Sequence, residues 1–68
     1  MSNSFIEDIF NSQQARNGGI VRRSLAWVER FASVFALKAE VQRRGFHMVI
    51  SGDQAVIFCN DGDIAIAC

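Results

Sequence analysis

The segment ARNGGIVRRS, residues 15–24, holds the densest potential chemistry in the chain. Gly18 and Gly19 precede a stretch that reads as the start of a helix. A helix start presents unpaired N–H groups and the positive end of the dipole, and so can hold an anion. Arg16, Arg22 and Arg23 stand near enough in sequence to close round a phosphate, whose oxygens suit guanidinium donors. No Gly-Lys-Ser/Thr follows and no strand leads in, so the segment falls short of a P-loop. Its plainer reading is a turn between two helices with a solvated basic first turn. A second basic group, Arg43, Arg44 and His47, follows further along.

His47 has the chemistry of a base or a phosphate contact, yet no Asp, Glu, Ser or Cys stands at a spacing that makes it a catalytic partner. One His and two distant cysteines, Cys59 and Cys68, do not supply the four ligands of a structural zinc site. Asp61 and Asp63 flank Gly62, but the other ligands of a calcium loop are missing, and a tight turn explains them. The chain therefore reads as non-enzymatic, with no cofactor and no metal. Without a secretory signal the cysteines read as free thiols, small buried hydrophobes in a reducing compartment.

These residues must be positioned by a small fold. A chain of 68 residues is one domain, near the lower limit for independent folding. Half of it is apolar, which excludes a disordered tail. No apolar run approaches the ~20 residues of a membrane span, and the N-terminus, with two acids and no basic start, is not a signal peptide. The expected location is cytoplasmic, away from membranes. Seven basic and seven acidic residues balance overall. They are unevenly spread: residues 20–44 carry Arg22, Arg23, Arg30, Lys38, Arg43 and Arg44 against Glu29 and Glu40, whereas residues 45–68 carry only Asp53, Asp61 and Asp63. That asymmetry suits self-association or an anionic partner.

The pattern predicts an α+β domain of order ααβββ: a short helix, a long helix, then a three-stranded antiparallel meander packed on the long helix. Ser4 and Glu7 have capping-box spacing, which starts a helix over residues 5–16. Asn17-Gly18-Gly19 breaks it. Residues 20–44 contain no Gly or Pro and read as one helix, with an apolar arc of roughly 200° that places Trp27, Phe31 and Phe35 in the core. Gly45 is the expected left-handed residue after it, with Phe46 completing a Schellman motif on Val41.

Strands are expected at residues 46–51, 54–59 and 64–68, joined by two-residue turns at Gly52-Asp53 and Asp61-Gly62. Those turns set a register in which Phe46, Met48, Ile50, Ala55, Ile57, Cys59, Ile64, Ile66 and Cys68 share one apolar face. In that register Cys59 and Cys68 lie too far apart for a disulfide. The opposite face reads His47, Val49, Ser51, Gln54, Val56, Phe58, Asp63, Ala65 and Ala67, more apolar than a solvated face should be. Strand 64–68 is an edge without Lys, Pro or a bulge to guard it.

An apolar second face and an open edge together suggest an interface formed by Val49, Val56, Phe58, Ile64, Ala65 and Ala67. The expected function is a small regulatory or interaction module of the bacterial, plasmid or phage kind, acting as a homodimer or with another protein partner. The alternative is a nucleic-acid or phosphate-binding regulator using Arg16, Gly18, Gly19, Arg22, Arg23, Arg43, Arg44 and His47.

Overall fold

The computed structural model describes residues 4–62, 64, 65 and 67. It is an α+β domain in which α1 (Ser4–Asn11), α2 (Gln13–Arg16), β1 (Ile20–Ser24), α3 (Leu25–Phe31), α4 (Val34–Arg43), β2 (His47–Ser51) and β3 (Gln54–Phe58) follow in order. The three strands form one antiparallel sheet of order β1-β3-β2.

The class is as the sequence predicts, but the sheet is not a meander. The expected helix over residues 20–44 is three elements. Its first residues form β1, because the β-branched pair Ile20 and Val21 suits a pleated, half-buried position beside β3. The rest divides at Ala32 and Ser33. Ser33 takes extended backbone angles and its hydroxyl accepts from the Ala36 N–H at 2.9 Å, so it caps a new helix. Glu29 adds to the break by accepting from the Val34 N–H at 2.9 Å. The expected helix over residues 5–16 also divides. Ser12 donates to the Ile9 carbonyl at 2.7 Å and caps α2 through the Ala15 N–H at 3.4 Å.

The β2–β3 hairpin has the expected register, Ser51 opposite Gln54 and His47 opposite Phe58. Gly52 has φ +59° and Asp53 does not have a positive φ, the pattern of a type II′ turn. Gly45 has φ +73°, and the Phe46 N–H donates to the Val41 carbonyl at 3.0 Å, the outer bond of a Schellman motif.

The second expected turn, Asp61-Gly62, does not form a hairpin. The Gly62 N–H donates instead to the Asn60 side-chain oxygen at 3.0 Å. Of the expected strand 64–68, Ile66 and Cys68 lie outside the described residues, as does Asp63. Ile64, Ala65 and Ala67 belong to no strand and are exposed. The place beside β3 that this strand was expected to fill is taken by β1.

The core lies between one face of the sheet and the helices. Val21, Ala55, Ile57 and Cys59 from the sheet side meet Ile6, Ile9 and Phe10 of α1, Val28 of α3, and Leu37 and Val41 of α4. Full burial of an aliphatic side chain such as Leu37 or Ile57 contributes about 1.5–3 kcal/mol relative to exposure.

Candidate interaction surfaces

The expected anion site at residues 16–23 is not assembled. Gly18 and Gly19 precede a strand, not a helix, so the dipole is absent. Both amides are already used: the Gly18 N–H donates to the Ala15 carbonyl at 3.1 Å and the Gly19 N–H to the Gln14 carbonyl at 2.8 Å. The glycines serve the chain crossing. Gly18 has φ +73°, and a Cβ on Gly19 would stand 3.0 Å from the Gln14 carbonyl oxygen. Strand alternation then separates the arginines. Arg22 lies on the outer sheet face beside Val56, while Arg23 points to the other side and donates to the Arg22 carbonyl at 2.7 Å. Arg16 ends α2 and is exposed.

The second basic group is held by an acid. Arg43 and Arg44 both donate to the Glu40 carboxylate on α4. The hydrogen bond from Arg43 is the largest influence and holds the Glu40 carboxyl below its usual range. Desolvation opposes this, and the Arg44 hydrogen bond adds to it. Arg44 also lies over the Phe10 ring, 4.4 Å from its centroid. His47 begins β2, opposite Phe58, and is half-buried. Among the described residues no group of three or more His, Cys, Asp or Glu side chains is placed to hold a metal ion. No helix among them is long and apolar enough to cross a membrane.

On the outer face of the sheet β1 stands in place of the expected third strand and brings both Ile20 and Arg22 into it. Ile20, Phe58 and His47 form one cross-strand row, and Arg22, Val56 and Val49 the next. Val49 and Ile20 are exposed, while Val56 and Phe58 are half-buried. Ile64, Ala65 and Ala67 do not extend this face as strand residues.

A surface that the sequence pattern assigned to the core is open. Trp27 is 54% exposed, Phe31 45% and Phe35 83%. Trp27 and Phe31 stack with ring centroids 5.2 Å apart, and Phe31 stacks in turn on Phe5 of α1 at 5.6 Å. Arg30 lies over both Trp27 and Phe31, at 5.9 and 5.6 Å. Trp27 and Phe31 are one helical turn apart, so they share a face of α3. Phe35 stands in the first turn of α4. The break at Ser33 places these rings: an unbroken helix would have kept Phe35 in line with the buried stripe. The signal in the sequence is Ser33 itself, a cap residue inside a run otherwise free of breakers.

A groove of about 590 Å³ runs between α4 and β2. Val34, Lys38 and Val41 line it from the helix, and Met48 and Ile50 from the strand.

No protein-family model, no curated protein and no solved structure matches the chain.

Proposed function

We propose that the protein is a small non-enzymatic interaction module that acts as a homodimer through its exposed aromatic surface. The observation that carries this reading is the solvent-facing stack of Trp27 and Phe31 under Arg30, with Phe35 more exposed than either. Trp, Phe and Arg are the residues enriched at the buried centres of interfaces, and rigid rings lose little entropy when covered. A face joining the same rings from two copies satisfies both at once, as a two-fold contact does. The unpaired, buried thiol of Cys59 suits a reducing compartment such as the cytoplasm.

The test is the solution mass. At tens of micromolar the protein should have twice the 7.6 kDa of one chain. Trp27→Glu and Phe35→Glu should return it to one chain with unchanged circular dichroism. A wild type that remains a single chain, or glutamate variants that dimerise equally well, would refute the reading.

A second reading, nucleic-acid binding, is favoured by the order of the elements. Helices α3 and α4, joined through Ala32 and Ser33, have the order of a helix-turn-helix unit, and the β2–β3 hairpin follows like a wing. This is fold-level analogy. Charge supports it weakly. Arg43 and Arg44 are paired with Glu40, and Arg30 is stacked on rings. Arg16, Arg22 and Lys38 stand on three separate elements. Binding that uses about three phosphate contacts should show a log–log salt slope near −3, and Lys38→Ala should lower it by about one. Absence of binding to duplex or single-stranded DNA at low salt would remove this reading.

A further inference from the structure

The groove between α4 and β2 is also lined by a residue from neither element. Ile64 stands in it with Val34, Lys38 and Val41 of α4 and Met48 and Ile50 of β2. The chain reaches it by turning back. The Cys59 N–H still donates to the Gly19 carbonyl, and the Asn60 side chain donates to the Gly18 carbonyl, both on the β1 side of the sheet. The same Asn60 side chain accepts from the Gly62 N–H, and by Ile64 the chain is beside β2. The contact there is incomplete. Ile64 is 43% exposed and Ile50 50%, although Ile50 lies on the core-facing side of the sheet.

Among the described residues no strand pairs with the outer side of β2. The two-residue turn makes Ser51 and Gln54 a hydrogen-bonded pair, and such pairs alternate along an antiparallel ladder. Val49 and His47 therefore direct their N–H and C=O groups to β3, and Met48 and Ile50 direct theirs away from it. The far side of β3 keeps the same alternation: the Leu25 N–H donates to the Asp53 carbonyl, and the Cys59 N–H to the Gly19 carbonyl.

In a strand over residues 64–68, alternation puts Ile64, Ile66 and Cys68 on one face and Ala65 and Ala67 on the other. Such a strand matches the 5 residues of β2. We propose that residues 64–68 close the groove as a fourth strand on the β2 edge, with the isoleucine face turned to α4. The strand runs parallel to β2, because the chain leaves β3 at Phe58, opposite His47, where β2 begins. Aligned residues of a parallel pair share a face, so Ala65 and Ala67 bring their N–H and C=O groups to Met48 and Ile50. The device is a strap. Closed, it covers Ile50 and pairs a strand edge that would otherwise invite a foreign strand. It does not use the aromatic surface, so either proposal can fail alone.

The test is amide hydrogen exchange on the full chain, read residue by residue by NMR. In the wild type the Met48 and Ile50 amides should exchange about tenfold more slowly than unprotected amides, or slower still. Ile64→Lys and Ile66→Lys should each remove that protection, while Ile64→Val should keep it. The Val49 amide, bonded to β3, is the internal control and should stay protected throughout. Ala67→Pro removes a strap N–H and leaves both isoleucines in place, so it should weaken the protection; Ala67→Ser should not.

Exchange of the Met48 and Ile50 amides at the unprotected rate in the wild type would overturn the proposal. So would protection that survives Ile64→Lys and Ile66→Lys. Protection at Met48 and Ile50 that rises with protein concentration while that of Val49 does not would also overturn it, because the occupant is then a second copy. If a lysine variant loses the Val49 protection as well, it has unfolded, and the wild-type rates together with Ala67→Pro decide the matter.

Discussion

Arg44 holds two partners at once: its Nε donates to the Glu40 carboxylate at 2.6 Å, and its guanidinium lies 4.4 Å from the centre of the Phe10 ring. One side chain thereby ties the end of α4 to α1, and Phe10 packs in turn on Phe46 at 6.1 Å. An arginine in this position is structural. Arg44→Ala should destabilise the fold by about 1 kcal/mol, the range of a partly desolvated cation–π contact. Arg44→Lys should recover only part of that, since an ammonium lacks the planar face. Urea denaturation of the three proteins measures both differences.

The lowered carboxyl of Glu40 gives the stability a defined pH dependence. A carboxyl whose folded pKa lies below its unfolded value stabilises the protein at pH above the unfolded value, about 4.3. That contribution is lost as pH falls from there through the folded value. Glu40→Gln should therefore flatten the stability profile on the acid side of pH 5, and leave its slope near neutrality unchanged. An identical acid limb in both proteins would show that Glu40 carries none of it.

Burial pushes the Cys59 thiol upward from its usual range, and the nearby Arg44 charge offsets part of the shift. The side chain is 3% exposed. A protonated, covered thiol is a poor nucleophile. In a Cys68→Ser background, Cys59 should react with a disulfide reagent far more slowly than a free cysteine at pH 8, and urea should speed the reaction as the fold opens. Rapid labelling in the native state would mean that the contacts at Gly19 and Cys59 open readily.

At Gly45 a Cβ would meet no atom within 4 Å, so the cost of adding one comes from the backbone alone. With φ at +73°, Gly45→Ala should cost about 1 kcal/mol. Gly45→Asn should cost less, since Asn tolerates the left-handed region better. A thermal melt of each variant gives the comparison.

Local chemistry was legible in the sequence wherever two adjacent signals agreed. The Gly52-Asp53 turn and the alternation on both sides of it determine the β2–β3 register, and Gly45-Phe46 determine where α4 ends. Each depends on residues close in the chain. The misreading of residues 20–44 has the opposite origin. Ile20 and Val21 fit a helix as readily as a strand by periodicity, and the choice is made by β3, far along the chain. Trp27, Phe31 and Phe35 satisfied an apolar arc that exists only if the helix is continuous. Once Ser33 divides it, two shorter helices have more apolar surface than the small sheet can cover. The arginine sites failed for a related reason. Neighbours in sequence on a strand point to opposite faces, as Arg22 and Arg23 do, and a carboxylate one turn away, Glu40, takes the pair at the helix end.

The placement of β1 beside β3 also dictates an order of events during synthesis. The partner of β1 emerges only after residues 25–53, so β1 leaves the ribosome with nothing to pair with. The α3–α4 pair and the β2–β3 hairpin, being local, can form on their own in microseconds. Closing the sheet then requires β1 to find an already folded hairpin across an intervening segment of roughly thirty residues, a non-local step that slows folding more than it weakens the final state. During that interval β3 has β2 on one side and an open edge on the other. The newly made chain is therefore most prone to pair with a wrong strand in the interval before β1 docks on β3.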